Sequence, residues 1–243
     1  YYGSDKNKAA TFFESFKFKP VVYPDYEKVI DTSLYFSANS QTKSPPNNRF
    51  YFDRNEKPYE MQTKQAVYTT KANEQITITR TKYHDLHMME SVDSIWNNID
   101  KSLKFTSRYK QEKDFVITNQ KKSANDDIYT YSYTLKDSTS AKAILVKHIL
   151  KKGVMYELKS LTDSISSPSP FVTEFYDSFT PIDTLLGQSV FKDKTAWFFE
   201  ALQENDSLVL NGYSRLIFKD QHVDQLIKAI DSHEYQKNQT KIK

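Results

Sequence analysis

The sequence predicts an α+β fold: an antiparallel sheet sandwiched with helices, with a small all-helical unit appended at the C-terminal end. Three observations predict it. Four strand-like segments follow one another between residues 109 and 161 with only turn-length gaps, as in a meander. Amphipathic helical patterns stand before that meander (Val92, Ile95, Trp96, Ile99, Leu103) and after it (Phe171, Phe175, Tyr176, Phe179). Beyond residue 183 the alternation stops, and three helix-length segments each open on an aspartate, at Asp193, Asp206 and Asp220, where an acid stabilises the positive helix end.

Residues 8–18 carry Ala9, Phe12, Phe13 and Phe16 on one helical face, and Pro20 and Pro24 stop that helix. Residues 29–37 are expected to form one strand through Leu34 and Phe36. Residues 39–48 form a polar loop around Pro45-Pro46, followed by a short extended piece at Phe50-Tyr51-Phe52. Ala66 and Tyr68, then Ile76, Ile78 and Tyr83, mark two strands joined by a turn at Lys71-Ala72-Asn73-Glu74. Ser91 is placed to cap the next helix, whose Asp93, Asn97, Asp100 and Lys101 should face water. In the meander, residues 115–117 mark the first strand, and residues 128–135 put Tyr129, Tyr131, Tyr133 and Leu135 on one face. Residues 143–150 are apolar on both faces, as in a central strand. Lys151-Lys152-Gly153 turns the chain into residues 154–161, with the glycine expected to supply a positive φ. Ser169 caps a helix with Pro170 at its first position.

Composition narrows function by exclusion. The 243 residues carry a net charge of +3 spread along the chain, with no concentrated basic face of the kind that binds nucleic acid. Aromatics reach 14%, which marks a folded chain rather than a disordered one. Four glycines leave no room for a glycine-rich phosphate loop. With no cysteine there is no disulfide, thiolate metal site or cysteine nucleophile, and the chain is compatible with an oxidising compartment. No apolar run reaches the length of a transmembrane helix.

One short motif occurs twice. Thr11-Phe12-Phe13-Glu14-Ser15-Phe16 corresponds to Glu174-Phe175-Tyr176-Asp177-Ser178-Phe179, and a proline follows each copy, at Pro20 and Pro181. Two copies about one domain apart imply tandem modules. The expected organisation is the closing helix of a preceding module at residues 1–20, an α/β sandwich at 21–182, and short helices opening a helical array at 183–243.

The element order and the closing helix Ser169 to Pro181, SPFVTEFYDSFTP, resemble the PsbP/Mog-like modules, α/β sandwiches with an antiparallel sheet between helices. The resemblance covers roughly residues 23–179. It implies a module that binds other proteins or serves as an accessory subunit, with no catalytic residue or cofactor carried over. The helices after Asp193 are similar to HEAT-like repeats. The whole resembles large bacterial envelope proteins in which such modules precede helical arrays, and implies a periplasmic or cell-envelope location, with other domains of the same chain among its partners.

Candidate chemistry is sparse. His84, His87 and Glu90 stand at successive spacings of three and could converge on a zinc ion on one helical face, which would suit a metal-dependent hydrolase. The stretch leaves a strand and meets the Ser91 cap, however, which argues against one helical face. Tyr129, Tyr131 and Tyr133 could form an exposed platform for a carbohydrate or protein, or could be covered by the helix that starts at Ser91. His148 reads as a hydrogen-bonded core or semi-exposed histidine, whereas His222 and His233 read as solvated. Ser15 and Ser178 lack the strained glycine elbow of a nucleophile and read as backbone partners near a helix end. The carboxylate pairs Glu90 with Asp93 and Asp126 with Asp127 show no apolar pocket to tune them, and Asp126-Asp127 reads as a turn. The sequence therefore favours a non-catalytic structural or protein-binding module without a cofactor. A tyrosine-based carbohydrate or ligand site is the first alternative, and the His84/His87 hydrolase the second.

Overall fold

A turn built on one buried carboxylate opens the described part of the sandwich. The computed structural model describes residues 6–17, 22, 24–44, 49–51, 59–104 and 115–232. Helix α1 (Lys6–Ser15) is followed by β1 (Glu27–Asp31) and β2 (Phe36–Ser40), an antiparallel hairpin where one strand was expected. The reason is Asp31: its carboxylate accepts hydrogen bonds from the backbone N–H of Ser33 and Leu34 at 3.0 and 2.9 Å, and Tyr35 takes the left-handed conformation that completes the reversal. The five-residue step from Val29 to Leu34 already broke the strand alternation.

The main sheet follows from period-2 patterning. Its strands are β3 (Arg49–Tyr51), β4 (Gln62–Thr69) and β5 (Gln75–Lys82), then, after α2 (Val92–Lys104), β6 (Phe115–Asn125), β7 (Ile128–Asp137), β8 (Lys142–Lys151) and β9 (Val154–Asp163). The order is β3-β4-β5-β9-β8-β7-β6, antiparallel throughout. The expected meander and hairpin are thus present, joined where β9 pairs with β5. β6 runs longer than expected and carries a bulge between Thr118 and Lys121, with Asn119 at positive φ.

The β8–β9 turn corrects one expectation. Lys152, not Gly153, has the positive φ (52°). Gly153 is needed for space, since a Cβ there would come within 2.7 and 2.8 Å of the Gln188 and Leu186 carbonyl oxygens.

Helices pack on both sheet faces. Ile76, Ile78, Ile149, Tyr156 and Leu158 lie under α3 (Pro170–Ser178) and the β1–β2 hairpin, which the two-residue β10 (Thr180–Pro181) extends into a three-stranded sheet. Phe36 stacks on Phe179 at 4.6 Å and contacts Phe175 at 6.1 Å. On the opposite face Tyr131, Tyr133, Val146, Leu150 and Met155 pack beneath Ile95 and Trp96 of α2. As the sequence indicated, Ser169 caps α3 by accepting from Val172 N, and the Ser91 hydroxyl accepts from Ser94 N. The result is an α+β sandwich with an appended helical unit.

That unit comprises α4 (Thr195–Glu204), α5 (Ser207–Leu210) and α6 (Val223–Ser232), with single 3-10 turns at Tyr213–Arg215 and Asp220–His222. The second of the three expected helices is only four residues long, because the chain turns at Gly212 against the His84 ring, where a Cβ would clash at 2.1 Å. Asp206 caps α5 by accepting from Leu208 N and Val209 N. Trp197 meets Tyr59 edge-on at 5.4 Å, and Leu86 lies in one cluster with Phe198, Leu202 and Leu210. His222 corrects another expectation. It is 5% exposed, lies within hydrogen-bonding distance of the Thr195 hydroxyl, and accepts from Lys219 N at 3.0 Å. Pro20, Pro45-Pro46, Phe52, Tyr109, His233 and residues 236–243 lie outside the described residues.

Candidate functional site

Helix α2 lies over β7 and β8 and leaves the β5–β9 half of the same face uncovered, and a large cavity opens there. Its volume is about 650 Å³. β5 contributes Thr79 and Thr81, β9 contributes Met155 and Glu157, and β8 contributes His148. Ile95, Asn98 and Ile99 of α2 form the opposite wall, and the segment 83–90 with Ile217 closes one end.

His148 is 5% exposed, and its Nε2 lies 3.1 Å from the Tyr133 hydroxyl. Glu157 stands 4.0 Å from the same nitrogen and is paired with Lys159 at 2.8 Å. Burial pushes His148 down to about 4, so its imidazole is neutral at pH 7. His87 is likewise lowered to about 4, by burial and then by Arg215, Lys194 and His84. Its ring lies on Tyr83 with centroids 4.8 Å apart. Burial lifts the Tyr133 hydroxyl well above the usual phenol range, so it keeps its proton and can donate to the imidazole.

The proposed metal ligands are not brought together. Residues 83–91 form an irregular segment with a turn, not a helix, so the three side chains diverge. His84 is buried against Gly212, with Nδ1 accepting from Leu86 N at 3.0 Å, while His87 lines the cavity and Glu90 sits at its exposed rim. Among the described residues no three His, Asp or Glu side chains stand where they could share a metal ion.

The tyrosine row is not an open platform either. Tyr131 is 0% and Tyr133 4% exposed, because Trp96 of α2 covers them, with ring centroids of Trp96 and Tyr131 5.5 Å apart. The Tyr131 hydroxyl donates to Asp100 of the same helix, and Tyr129 packs edge-on against Phe191. Sequence reasoning missed the cavity because Thr79, Thr81 and Glu157 read as ordinary strand positions. The usable signal was a polar stripe on two central strands, on the face that should bury apolar residues.

A second surface feature stands out on α1. Phe12, Phe13 and Phe16 are 58%, 72% and 62% exposed, although they repeat the motif whose second copy seals the sandwich. In that copy Ser178 donates to the Glu174 carbonyl and accepts from Asn39 N of β2 at 2.7 Å, while Glu174 accepts from the Asn39 side chain at 2.6 Å. Ser15 makes the equivalent turn onto its own helix, donating to the Phe12 carbonyl at 2.6 Å. Neither serine is built as a nucleophile; both are helix-end hydrogen-bonding residues.

No family model matches the chain, and no curated protein matches it. Among solved structures, a crystal structure from Bacteroides thetaiotaomicron is similar, with a TM-score of 0.35 and 10% sequence identity over 86% of this chain and 70% of that one. A likeness that loose carries no argument about function.

Proposed function

We propose that the chain is a non-catalytic structural or protein-binding part of a larger protein, in which α1 closes the sheet of a neighbouring sandwich as α3 closes its own. One observation carries this reading: α1 presents the α3 motif with its aromatic face uncovered. Three exposed phenylalanines on one short helix are a contiguous apolar patch of the kind that marks an interaction surface. The partner is identified by what α3 covers. It is an antiparallel hairpin whose second strand supplies a backbone N–H to the motif serine, as Asn39 does for Ser178. A main sheet with helices on both faces supports a relation to the PsbP/Mog-like modules. The run of short helices after Asp193 supports the start of a helical array, and a chain without cysteine suits a periplasmic or envelope setting.

Paired substitutions test it. In the 243-residue chain, Phe175→Ala is expected to cost about 3–5 kcal/mol in urea unfolding, as deletion of a fully buried aromatic does. Phe12→Ala is expected to change it by less than about 0.5 kcal/mol. In the product of the whole gene, Phe12→Ala should destabilise a second unfolding transition. A Phe12→Ala chain that loses as much stability alone as Phe175→Ala would place α1 inside this sandwich and end the proposal.

A further inference from the structure

We propose that the cavity between α2 and the β5–β9 half of the sheet binds one small, uncharged, amphipathic molecule. Its volume of about 650 Å³ lies within the range of small-molecule sites. It is two-sided. Ile95 and Ile99 on α2 face an apolar body, and Thr79, Thr81, His148 and Glu157 on the sheet offer hydrogen bonds. Met88, Met89 and Met155 add polarizable, adaptable contacts that conform to a ligand's outline.

His148 gives the floor its direction. The side chain is at least nine-tenths buried and lines the cavity, and its hydrogen bond to Tyr133 uses Nε2. Nδ1 makes no hydrogen bond to any described residue. With Tyr133 donating to Nε2, the neutral ring carries its proton on Nδ1, a donor for a ligand oxygen. The electrostatics select against an anion. Glu157 and Glu90 both line the cavity and the imidazole is neutral, so an anionic ligand would be desolvated without a counter-charge.

Fluorescence titration of the 243-residue chain with N-phenyl-1-naphthylamine, a neutral probe of suitable size, tests this. Saturable, one-to-one enhancement is expected. Met155→Trp, which fills the cavity, and Asn98→Phe, which narrows its mouth from an exposed helix position, are each expected to weaken it at least tenfold. Glu200→Ala on the exposed side of α4 should leave it unchanged. The anionic analogue 8-anilinonaphthalene-1-sulfonate is expected to bind at least tenfold more weakly than the neutral probe. Absence of saturable enhancement overturns the site. So does equal binding by Asn98→Phe protein with an unaltered near-ultraviolet circular dichroism spectrum, whether or not the Met155→Trp protein folds. Equal or tighter binding of the sulfonate overturns the preference for an uncharged ligand.

Discussion

Replacing Asp31 by alanine is expected to destabilise the protein by about 3–5 kcal/mol, the range for breaking a buried ion pair from one side. Its side chain is 0% exposed, and Arg49 pairs with it at 2.8 Å. Its carboxylate also accepts from Tyr68 at 2.9 Å and from Ser33 and Leu34 in the β1–β2 turn. Burial alone would raise this carboxyl, but hydrogen bonds from Arg49, Leu34, Ser33 and Tyr68 outweigh it and hold it down to about 2. Alanine would leave the Tyr68 hydroxyl and the Arg49 guanidinium without that partner and would free the turn. Because this turn carries β2, on which α3 rests, the loss should appear as one shifted cooperative urea transition. Asp31→Asn, which keeps an acceptor but loses the charge, should fall between wild type and alanine. A shift below 1 kcal/mol for Asp31→Ala would mean that the network contributes little.

Acid should destabilise the fold well before the carboxylates protonate. As pH falls below the ordinary histidine value of 6.5, the unfolded chain takes up a proton on residue 148, while the folded chain resists until about 4. The unfolded state therefore binds more protons across that window, and stability, complete above pH 6.5, drops toward pH 4. Two and a half pH units correspond to about 3 kcal/mol. His87 shifts in the same direction and adds to the slope. Asp31 acts later, its contribution being lost between its ordinary 3.8 and about 2. Urea unfolding at a series of pH values should show this acid limb, and His148→Gln should flatten much of it. Equal stability at pH 7 and pH 4.5, with an imidazole titration near 6.5 by NMR, would contradict the buried neutral ring.

Much of the fold was legible because local and tertiary preferences agree. Val92, Ile95, Trp96, Ile99 and Leu103 form a stripe only as a helix, and Tyr129, Tyr131 and Tyr133 share a face only as a strand. Caps at Ser91 and Ser169 marked helix starts. The misreadings have physical causes. Apolar Val29, Leu34 and Phe36 masked a reversal that a side-chain carboxylate makes. Gly153 looked like a source of positive φ when what mattered was the approach of two carbonyls. His222 looked exposed because its burial depends on Asp193 and Thr195, far from it in sequence. The cavity could not be read locally, since it exists where α2 fails to cover β5 and β9. The duplicated motif marked two aromatic segments, but only the structure separates the buried copy from the exposed one.

Amide hydrogen exchange on the two copies of the lid is the most direct measurement. In the 243-residue chain, the α1 amides should exchange nearly as fast as in an unfolded peptide, since a ten-residue helix without tertiary cover is marginal. The α3 amides should exchange only through global unfolding. In the product of the whole gene, α1 should gain protection comparable to that of α3. Full protection of α1 in the 243-residue chain alone, or no gain in the whole product, would contradict the assignment of α1 as the lid of a neighbouring module.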